Sequence, residues 1–246
     1  MIKHNDRIYT FTKKVDISDG GLAFRIEREK ALIIYDVLTQ EPFLSTPKLV
    51  DCDESQGILV FEKIFNIQPI IATIGGVWFE RVGHLLACIH CELQLPEELT
   101  IVRQKDVGLE GVVYVHGDFM PNNLCCSGGK LVVFDWGLRP WTSEIYTKAS
   151  PAVDLAAFLA PWWVPRWWDF RFPSAKLSRF IERYYQIVGF DSDITQIGRQ
   201  TLEQELAIQK SYWIKEIRRR SISRRPLLSA KMIFNLWRMK HEIFKE

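Results

Sequence analysis

Three oxygen-bearing side chains stand in the middle of the chain at a spacing that suits phosphate chemistry. Asp118 follows one short apolar run, Asn123 comes five residues later, and Asp135 ends a second apolar run. Two strands joined by a short turn would bring such groups near one point. Carboxylate and amide oxygens are ligands that Mg²⁺ prefers, and a carboxylate can orient a hydroxyl for attack on a γ-phosphate. The spacing therefore indicates a phosphoryl-transfer site, with Asp118 orienting the hydroxyl and with Asn123 and Asp135 as metal ligands.

The surrounding sequence predicts a small sheet-containing lobe followed by a larger helical lobe. Alternation and turn residues predict strands at 7–15, 47–50 and 58–61, and apolar spacing predicts helices at 22–38, 77–95, 153–159, 176–188, 194–219 and 228–244. A Gly-Gly pair at 128–129 predicts the tight turn between the two central strands. We therefore expect an α+β fold with a small lobe over 1–65 and a large lobe over 66–246.

The segment His116–Asn123 resembles the catalytic loop of the aminoglycoside phosphotransferase family, which includes choline and homoserine kinases. That loop is His-Gly-Asp-x-x-x-x-Asn, and this chain matches it without a gap. The resemblance implies a two-lobed protein kinase-like fold and an ATP- and Mg²⁺-dependent transfer of phosphate to a small-molecule hydroxyl. It gives Asp118 the catalytic role and makes Asn123 and Asp135 the metal ligands.

Two further segments resemble the same family, in the expected order. The run Leu59–Ile64 is similar to the strand that leads into the hinge, where backbone groups hold adenine, so the resemblance implies cofactor contacts at Glu62 and Ile64. The triplet Asp154-Leu155-Ala156 is similar to the start of the family's next helix, and we expect a structural role for it.

The family also uses a small-lobe lysine, paired with a glutamate on the following helix, to hold the α- and β-phosphates. Lys13 and Lys14 compete for this role. Residues two apart on a strand share a face, which places Thr12 beside Lys14 and bulky Phe11 beside Lys13. A small neighbour leaves room for adenine, so we favour Lys14. On the helix we favour Glu29 as the partner, with Glu27 as the second choice.

The sequence departs from the family at the turn that covers the phosphates. Relatives carry a glycine-rich strand-turn-strand before the lysine, whereas residues 1–13 contain no glycine. Gly20 and Gly21 follow the lysine and are expected to form a strand-to-helix turn. We therefore expect a truncated small lobe, with a nucleotide site that is open above or covered by another chain in an oligomer.

Composition places the chain among ordinary globular proteins. The 246 residues are 47% hydrophobic and 25% charged, with no apolar run that predicts a signal peptide or a membrane span. Five cysteines without disulfide-scaffold spacing favour the cytoplasm. The net charge of +2 is uneven. Residues 206–246 hold 11 basic and 3 acidic residues, a net charge of +8, so the remainder carries −6.

Two local patterns have alternative explanations. Cys88-Ile89-His90-Cys91 could form half of a metal site with Cys125 and Cys126, but buried free cysteines commonly act as small hydrophobes, which we favour. Four tryptophans between Trp162 and Trp168 could form a cation–π box for an ammonium substrate, or they could equally be core or a partner surface.

Three functions compete on this sequence. The first is the small-molecule kinase. The second is a catalytically inactive kinase-like binding module, favoured by the missing glycine turn. The third is an RNA- or membrane-associated protein that uses the basic cluster around Arg218, Arg219 and Arg220. We consider a solvated helix face the more ordinary explanation of that cluster, and nucleic-acid binding the less favoured function.

Overall fold

The computed structural model describes residues 10–70, 76–137, 144–163, 174–189, 201–209, 211, 212 and 215. The first part of the chain forms an antiparallel sheet whose strand order is β1-β4-β3, and one helix, α1, packs on it. The bounds are Thr10–Lys14 for β1, Leu22–Thr39 for α1, Leu49–Asp53 for β3 and Ile58–Glu62 for β4.

The register of β1 against β4 decides which side chains of β1 face the core. Phe11 lies opposite Phe61 and Lys13 lies opposite Leu59. Leu59 is fully buried, Phe61 is nearly so, and the rings of Phe11 and Phe61 stack with centroids 5.4 Å apart. Directly opposed residues of an antiparallel pair share a face. Lys13 therefore points to the covered face of this sheet.

A second, four-stranded sheet has the order β2-β8-β7-β5. Its strands are Leu44–Ser45 (β2), Gln68–Pro69 (β5), Leu124–Ser127 (β7) and Lys130–Val133 (β8), and a separate two-stranded pair joins Val113–Tyr114 (β6) to Lys148–Ala149 (β9). β7 and β8 form the predicted hairpin with Gly128 and Gly129 at its turn. β2 lies within residues 1–65, the predicted small lobe, but it pairs with β8 of the predicted large lobe. The boundary between the lobes near residue 65 therefore stays a prediction.

Within the described residues, the structure confirms the helices that were predicted from apolar periodicity. They are Gly76–Glu92 (α2), Ala152–Leu159 (α3) and Ser174–Val188 (α4), and residues 201–209 are also helical. The predicted helix at 228–244 lies outside the described residues. Helices beside short strands confirm the α+β class. Among the described residues, no helix combines the length and the apolar character needed to cross a membrane.

A single large core joins the small sheet to the helices. Phe24 and Ile34 of α1, Leu59 of β4, Leu85 of α2 and Phe158 of α3 all belong to it and are fully buried. Burial of large apolar side chains is the main stabilising term in such a structure. This core fixes the elements that carry the polar side chains of the candidate site.

Candidate functional site

Asp118 and Asn123 lie within one hydrogen-bonded loop between β6 and β7. The amide nitrogen Nδ2 of Asn123 donates to the backbone oxygen of Asp118 at 2.8 Å and to its carboxylate Oδ2 at 3.0 Å. Asn123 ends a short 3-10 turn that begins with Pro121. With Nδ2 engaged, Oδ1 is the amide atom of Asn123 that can face a cation. Both side chains are half-buried.

Asp135 is brought to this loop by the residue before it. The backbone nitrogen of Phe134 donates to Asn123 O at 2.9 Å, and Nε2 of His116 bonds to Phe134 O at 3.1 Å. Asp135 itself has a positive φ of 61°. Aspartate is one of the few residues other than glycine that enter this region. The end of β8 is therefore tied on both sides to the loop that carries Asp118.

The backbone of the loop is held from below by a buried carboxylate. Asp154 of α3 is fully buried, and its two oxygens accept the backbone N–H groups of His116 at 2.7 Å and of Gly117 at 3.0 Å. Oδ2 also lies 3.2 Å from Nε2 of His90, whose Nδ1 lies 2.8 Å from the Tyr184 hydroxyl. Gly117 has a φ of 93°, which L side chains rarely adopt. This network fixes the conformation from which Asp118 projects.

His116 is a neutral structural residue in this arrangement. Its Nε2–H donates to Phe134 O, while its Nδ1 accepts the backbone N–H of Asp118 at 3.2 Å. One ring nitrogen donates and the other accepts, as in a neutral imidazole. Burial lowers the pKa of His116 to about 4. The ring also lies against the indole of Trp136, with centroids 4.6 Å apart.

A buried lysine of α1 reaches the same loop, a contact that the sequence analysis did not predict. Lys30 is fully buried, and its Nζ donates to His116 O at 2.9 Å. Burial lowers its pKa to about 8, against the opposing effects of Asp154 and Glu27. Helix α1 is thereby joined directly to the His116–Asn123 loop.

Above the loop, a charged cluster joins three elements. Nζ of Lys13 on β1 pairs with Glu27 on α1 and with Asp135 after β8. Burial lowers the pKa of Lys13, but the two carboxylates more than offset this, and the net shift is upward. Burial raises the pKa of Glu27, an effect that Lys13 reduces. Gly137 leaves space for the three charged side chains. A Cβ at this position would stand 3.0 Å from Glu27 Oε2 and 3.3 Å from both Asp135 Oδ1 and Lys13 Nζ.

The ion pair in the structure differs from the one expected between Lys14 and Glu29. Glu29 pairs with its neighbour Arg28 at 2.8 Å, and Lys14 is exposed and takes part in no ion pair of the described residues. The cause is the strand register, which turns Lys13 to the covered face beside Leu59 and Lys14 to the other face opposite Ile58. Glu27, the second choice on the helix, is the partner of Lys13.

The two residues predicted to contact adenine, Glu62 and Ile64, lie where the chain passes from one sheet to the other. Glu62 ends β4, where its backbone nitrogen donates to Lys48 O at 2.8 Å. Ile64 is half-buried in the segment that follows, and the hydroxyl of Ser127 donates to Phe65 O at 2.7 Å. This connection crosses beside the β7–β8 hairpin before β5 pairs with β7. The adenine contacts expected at Glu62 and Ile64 stay predictions.

The remaining sequence features have mixed outcomes. His90 bonds to Asp154 and Tyr184, and the part of the chain that the structure describes groups neither Cys125 nor Cys126 with it as metal ligands. Trp162 packs against Phe79 and Phe158, with ring centroids 5.1 and 5.8 Å away. It therefore extends the core. The segment 164–173 and the basic cluster at 218–220 lie outside the described residues.

The arrangement of strands and helices is a two-lobed kinase-like fold, and several solved structures share it. A choline/ethanolamine kinase family protein from Mesorhizobium loti matches over 96% of this chain and 82% of its own, with a TM-score of 0.51 and 13% identity. Amicoumacin kinase hAmiN, in complex with AMP-PNP, Ca²⁺ and Ami, matches over 89% and 78%, with a TM-score of 0.54 and 12% identity. A glucosamine kinase matches over 82% and 67%, with a TM-score of 0.55 and 13% identity.

These matches confirm the fold that the catalytic-loop resemblance implied. At such identities the similarity concerns the fold. No protein-family profile matches the sequence. No curated protein matches it by sequence.

The donor atoms of the site fit a hard divalent cation. Asp135 supplies a carboxylate and Asn123 an amide oxygen, and Phe134 holds their backbones together. Mg²⁺ selects oxygen ligands and commonly uses one or two protein groups plus substrate phosphates. The side chain of Asp135 is 48% exposed, so its carboxylate is open to a metal–nucleotide complex.

Proposed function

We propose that the protein is an ATP- and Mg²⁺-dependent phosphotransferase that moves the γ-phosphate to a hydroxyl group of a small molecule. The observation that carries this proposal is the convergence of Asp118, Asn123 and Asp135 with the Lys13–Glu27 pair at one place in a kinase-like fold. Positioning and charge neutralisation supply most of the catalysis in phosphoryl transfer, and these side chains are of the types that provide both.

Each residue has a distinct role in this reaction. The carboxylate of Asp118 accepts a hydrogen bond from the acceptor hydroxyl and takes its proton as the phosphate ester forms. Oδ1 of Asn123 and the carboxylate of Asp135 hold the magnesium ion. Bound there, the ion neutralises charge on the phosphates and orients them. Lys13, held in place by Glu27, binds the α- and β-phosphates. This role was first expected for Lys14 and Glu29.

The nucleotide base and the acceptor occupy opposite ends of the site in this proposal. Backbone groups near Glu62 and Ile64 hold adenine, at the connection between the two sheets. Nucleotide use is supported by the amicoumacin kinase structure, which contains AMP-PNP. The acceptor class is supported by the fold neighbours, which are small-molecule kinases by name. The proposal assigns the reaction to the cytoplasm, where Mg·ATP is abundant.

The test separates nucleotide binding from catalysis. Titration calorimetry with AMP-PNP should show one site whose affinity depends on Mg²⁺ and falls in Asp135→Ala. ATP consumption with amino-alcohol, sugar, aminoglycoside and amino-acid acceptors should then identify the acceptor. With that acceptor, Asp118→Asn should lower kcat by about 10²–10⁴-fold and leave AMP-PNP binding intact. Asp51→Asn, an exposed carboxylate on β3, is the matched control.

Two results would replace this proposal. Absence of Mg·AMP-PNP binding at millimolar concentration would remove the kinase function. Binding without turnover on any acceptor would favour the inactive binding module. The third function, which uses the basic cluster at Arg218, Arg219 and Arg220, predicts RNA or vesicle binding that weakens steeply with salt.

A further inference from the structure

A second group of ligand-type side chains lies where the end of α1 meets α2. Glu41 stands in the turn after α1, and His84 and Cys88 are four residues apart on α2 and therefore share a face. The three ligand atoms all lie within 4.8 Å of one another, and Nε2 of His84 lies 3.4 Å from Oε2 of Glu41. None of these residues takes part in the proposed phosphotransferase site.

We propose that Glu41, His84 and Cys88 form a binding site for a single Zn²⁺ ion. One thiolate, one imidazole and one carboxylate are the ligand types that zinc accepts, and a soft sulfur ligand disfavours Mg²⁺ and Ca²⁺. Three protein ligands leave one position of a tetrahedron for water or an outside ligand. The site does not depend on the proposed phosphotransferase activity.

The spacing and the exposure of the three ligands suit this ion. Zinc–ligand bonds of about 2.0–2.3 Å place tetrahedral ligand atoms roughly 3.3–3.7 Å apart, so the 3.4 Å between His84 and Glu41 already fits. Cys88 is 9% exposed, and the side chains of His84 and Glu41 are 27% and 30% exposed. The sulfur of Cys88 lies within 4.8 Å of the other two ligand atoms, so zinc binding requires side-chain movement at the partly exposed His84 and Glu41.

Charge balance supports the same ion. Cys88 loses one proton to solvent when its sulfur binds the metal, so thiolate, carboxylate and neutral imidazole give a complex with no net charge around Zn²⁺. A neutral complex is favoured at a half-buried position, where an unpaired charge is costly. Burial raises the pKa of the Cys88 thiol to about 12, with Glu41 adding to the effect. A cation at this point reverses that penalty and deprotonates the thiol.

Two of the three ligands border a surface pocket of about 620 Å³. Glu41 and His84 form part of its wall, together with Phe43, Arg81 and Arg183. Metal binding there would fasten the turn after α1 to α2. Lys30 of α1 bonds to His116 O, and His90 of α2 bonds to Asp154, which accepts the backbone N–H of His116. The ion would therefore join one helix that contacts the loop directly to a second that supports it through Asp154.

The test uses the full chain after treatment with a chelator, with excess Mg²⁺ present to occupy oxygen-ligand sites. Zn²⁺ titration should show one ion per chain, and Co²⁺ should give thiolate-to-metal charge-transfer absorption, a signal that the Asp118–Asp135 site cannot produce because it contains no cysteine. His84→Gln and Cys88→Ser should each weaken Zn²⁺ binding by more than about 100-fold, since loss of outer-shell partners alone costs 10–100-fold.

Cys91→Ser is the matched control, because Cys91 is an exposed cysteine on the same helix outside the cluster. It should bind Zn²⁺ as the native chain does. Zn²⁺ should raise the Tm of the native chain and of Cys91→Ser, but not that of His84→Gln, whose half-exposed position tolerates the change. Absence of stoichiometric binding, or equal binding in His84→Gln and the native chain, would overturn the proposal.

Discussion

The lower and upper halves of the candidate site are held together in different ways. The lower half, the loop around His116, rests on hydrogen bonds to Asp154 and Lys30, all from fully buried side chains. The upper half is a cluster of charges in which Glu27 is buried, whereas Lys13 is 29% and Asp135 is 48% exposed. Buried networks are rigid and costly to break, whereas half-exposed ion pairs contribute little to stability and rearrange easily.

The difference suits the chemistry that we propose for each half. The group that orients an attacking hydroxyl must be placed before the substrate arrives, and the buried network does this for Asp118. The phosphate-binding groups must exchange partners as a charged nucleotide enters. Lys13, which pairs with two carboxylates, can transfer its bond from Asp135 to a phosphate. The lower half is therefore structural and rigid, and the upper half is adaptable.

The largest expected effect concerns the carboxylate beneath the loop. Asp154→Ala removes the acceptor of two buried backbone N–H groups and the partner of His90. We expect the free energy of unfolding to fall by about 3–5 kcal/mol, as for a broken buried charge network, measured by urea denaturation. Asp51→Ala, at an exposed position on β3, should change it by less than about 0.5 kcal/mol. Similar losses in both variants would contradict a rigid lower half.

A pH dependence follows from the buried neutral imidazole. His116 has a pKa of about 4 in the folded chain against an ordinary 6.5, so the unfolded chain binds the proton more readily between these values. The contribution of the neutral His116 side chain to the free energy of unfolding is complete above pH 6.5 and is lost as the pH falls towards 4. We expect a loss of about 3 kcal/mol from this group. His116→Gln should show a correspondingly flatter stability profile over that range. Parallel profiles would show that His116 is not held neutral.

Substitution of Lys30, which connects the two halves, should reduce the free energy of unfolding by an intermediate amount. Lys30→Met keeps the length of the side chain but leaves His116 O without its donor and Asp154 without a nearby positive charge. We expect the free energy of unfolding to fall by about 1–3 kcal/mol. Lys130→Met, at an exposed position of β8, is the control and should be nearly neutral. An unchanged stability for Lys30→Met would mean that α1 and the loop are joined by apolar packing alone.

The sequence predicted the grouping of Asp118, Asn123 and Asp135 better than the ion pair of Lys13 with Glu27, and strand register explains why. Asp118, Asn123 and Asp135 lie on one loop and one hairpin, so short-range spacing was enough to bring them together. The four helices that have defined bounds were predicted to within about three residues at each end, because apolar periodicity is strong in them. The two-residue strands β2, β5 and β9 were missed, because two residues carry no alternation.

The choice between Lys13 and Lys14 needed information that local pattern lacks. Every residue from Ile58 to Phe61 is apolar, so β4 alone does not reveal which of its faces is covered. A small neighbour for adenine favours Lys14, which lies on the other face of β1 from Lys13. Contacts of Asp154 and Lys30 with the loop join residues 38 and 86 positions apart, and only the packed core brings these together.

The smallest expected change in stability concerns Lys13. Lys13→Met leaves the buried Glu27, whose side chain is 3% exposed, without its cation. Burial already favours the protonated form of Glu27, and Lys13 itself is 29% exposed, so the free energy of unfolding should fall by about 1 kcal/mol or less. Affinity for Mg·AMP-PNP, measured by calorimetry, should nevertheless fall by about 10-fold or more, since a charged hydrogen bond to phosphate is lost.

Lys14→Met tests whether Lys13 or Lys14 is the lysine that binds the nucleotide phosphates. It alters the adjacent, exposed lysine on the same strand, so both variants remove one positive charge near the sheet. If the cluster in the structure is the nucleotide-binding form, Lys14→Met should leave the affinity for Mg·AMP-PNP unchanged. A larger loss in Lys14→Met than in Lys13→Met would mean that β1 turns its other face to the nucleotide, which only an adaptable upper half permits. Equal losses would assign the effect to net charge and would remove the specific phosphate contact from both lysines.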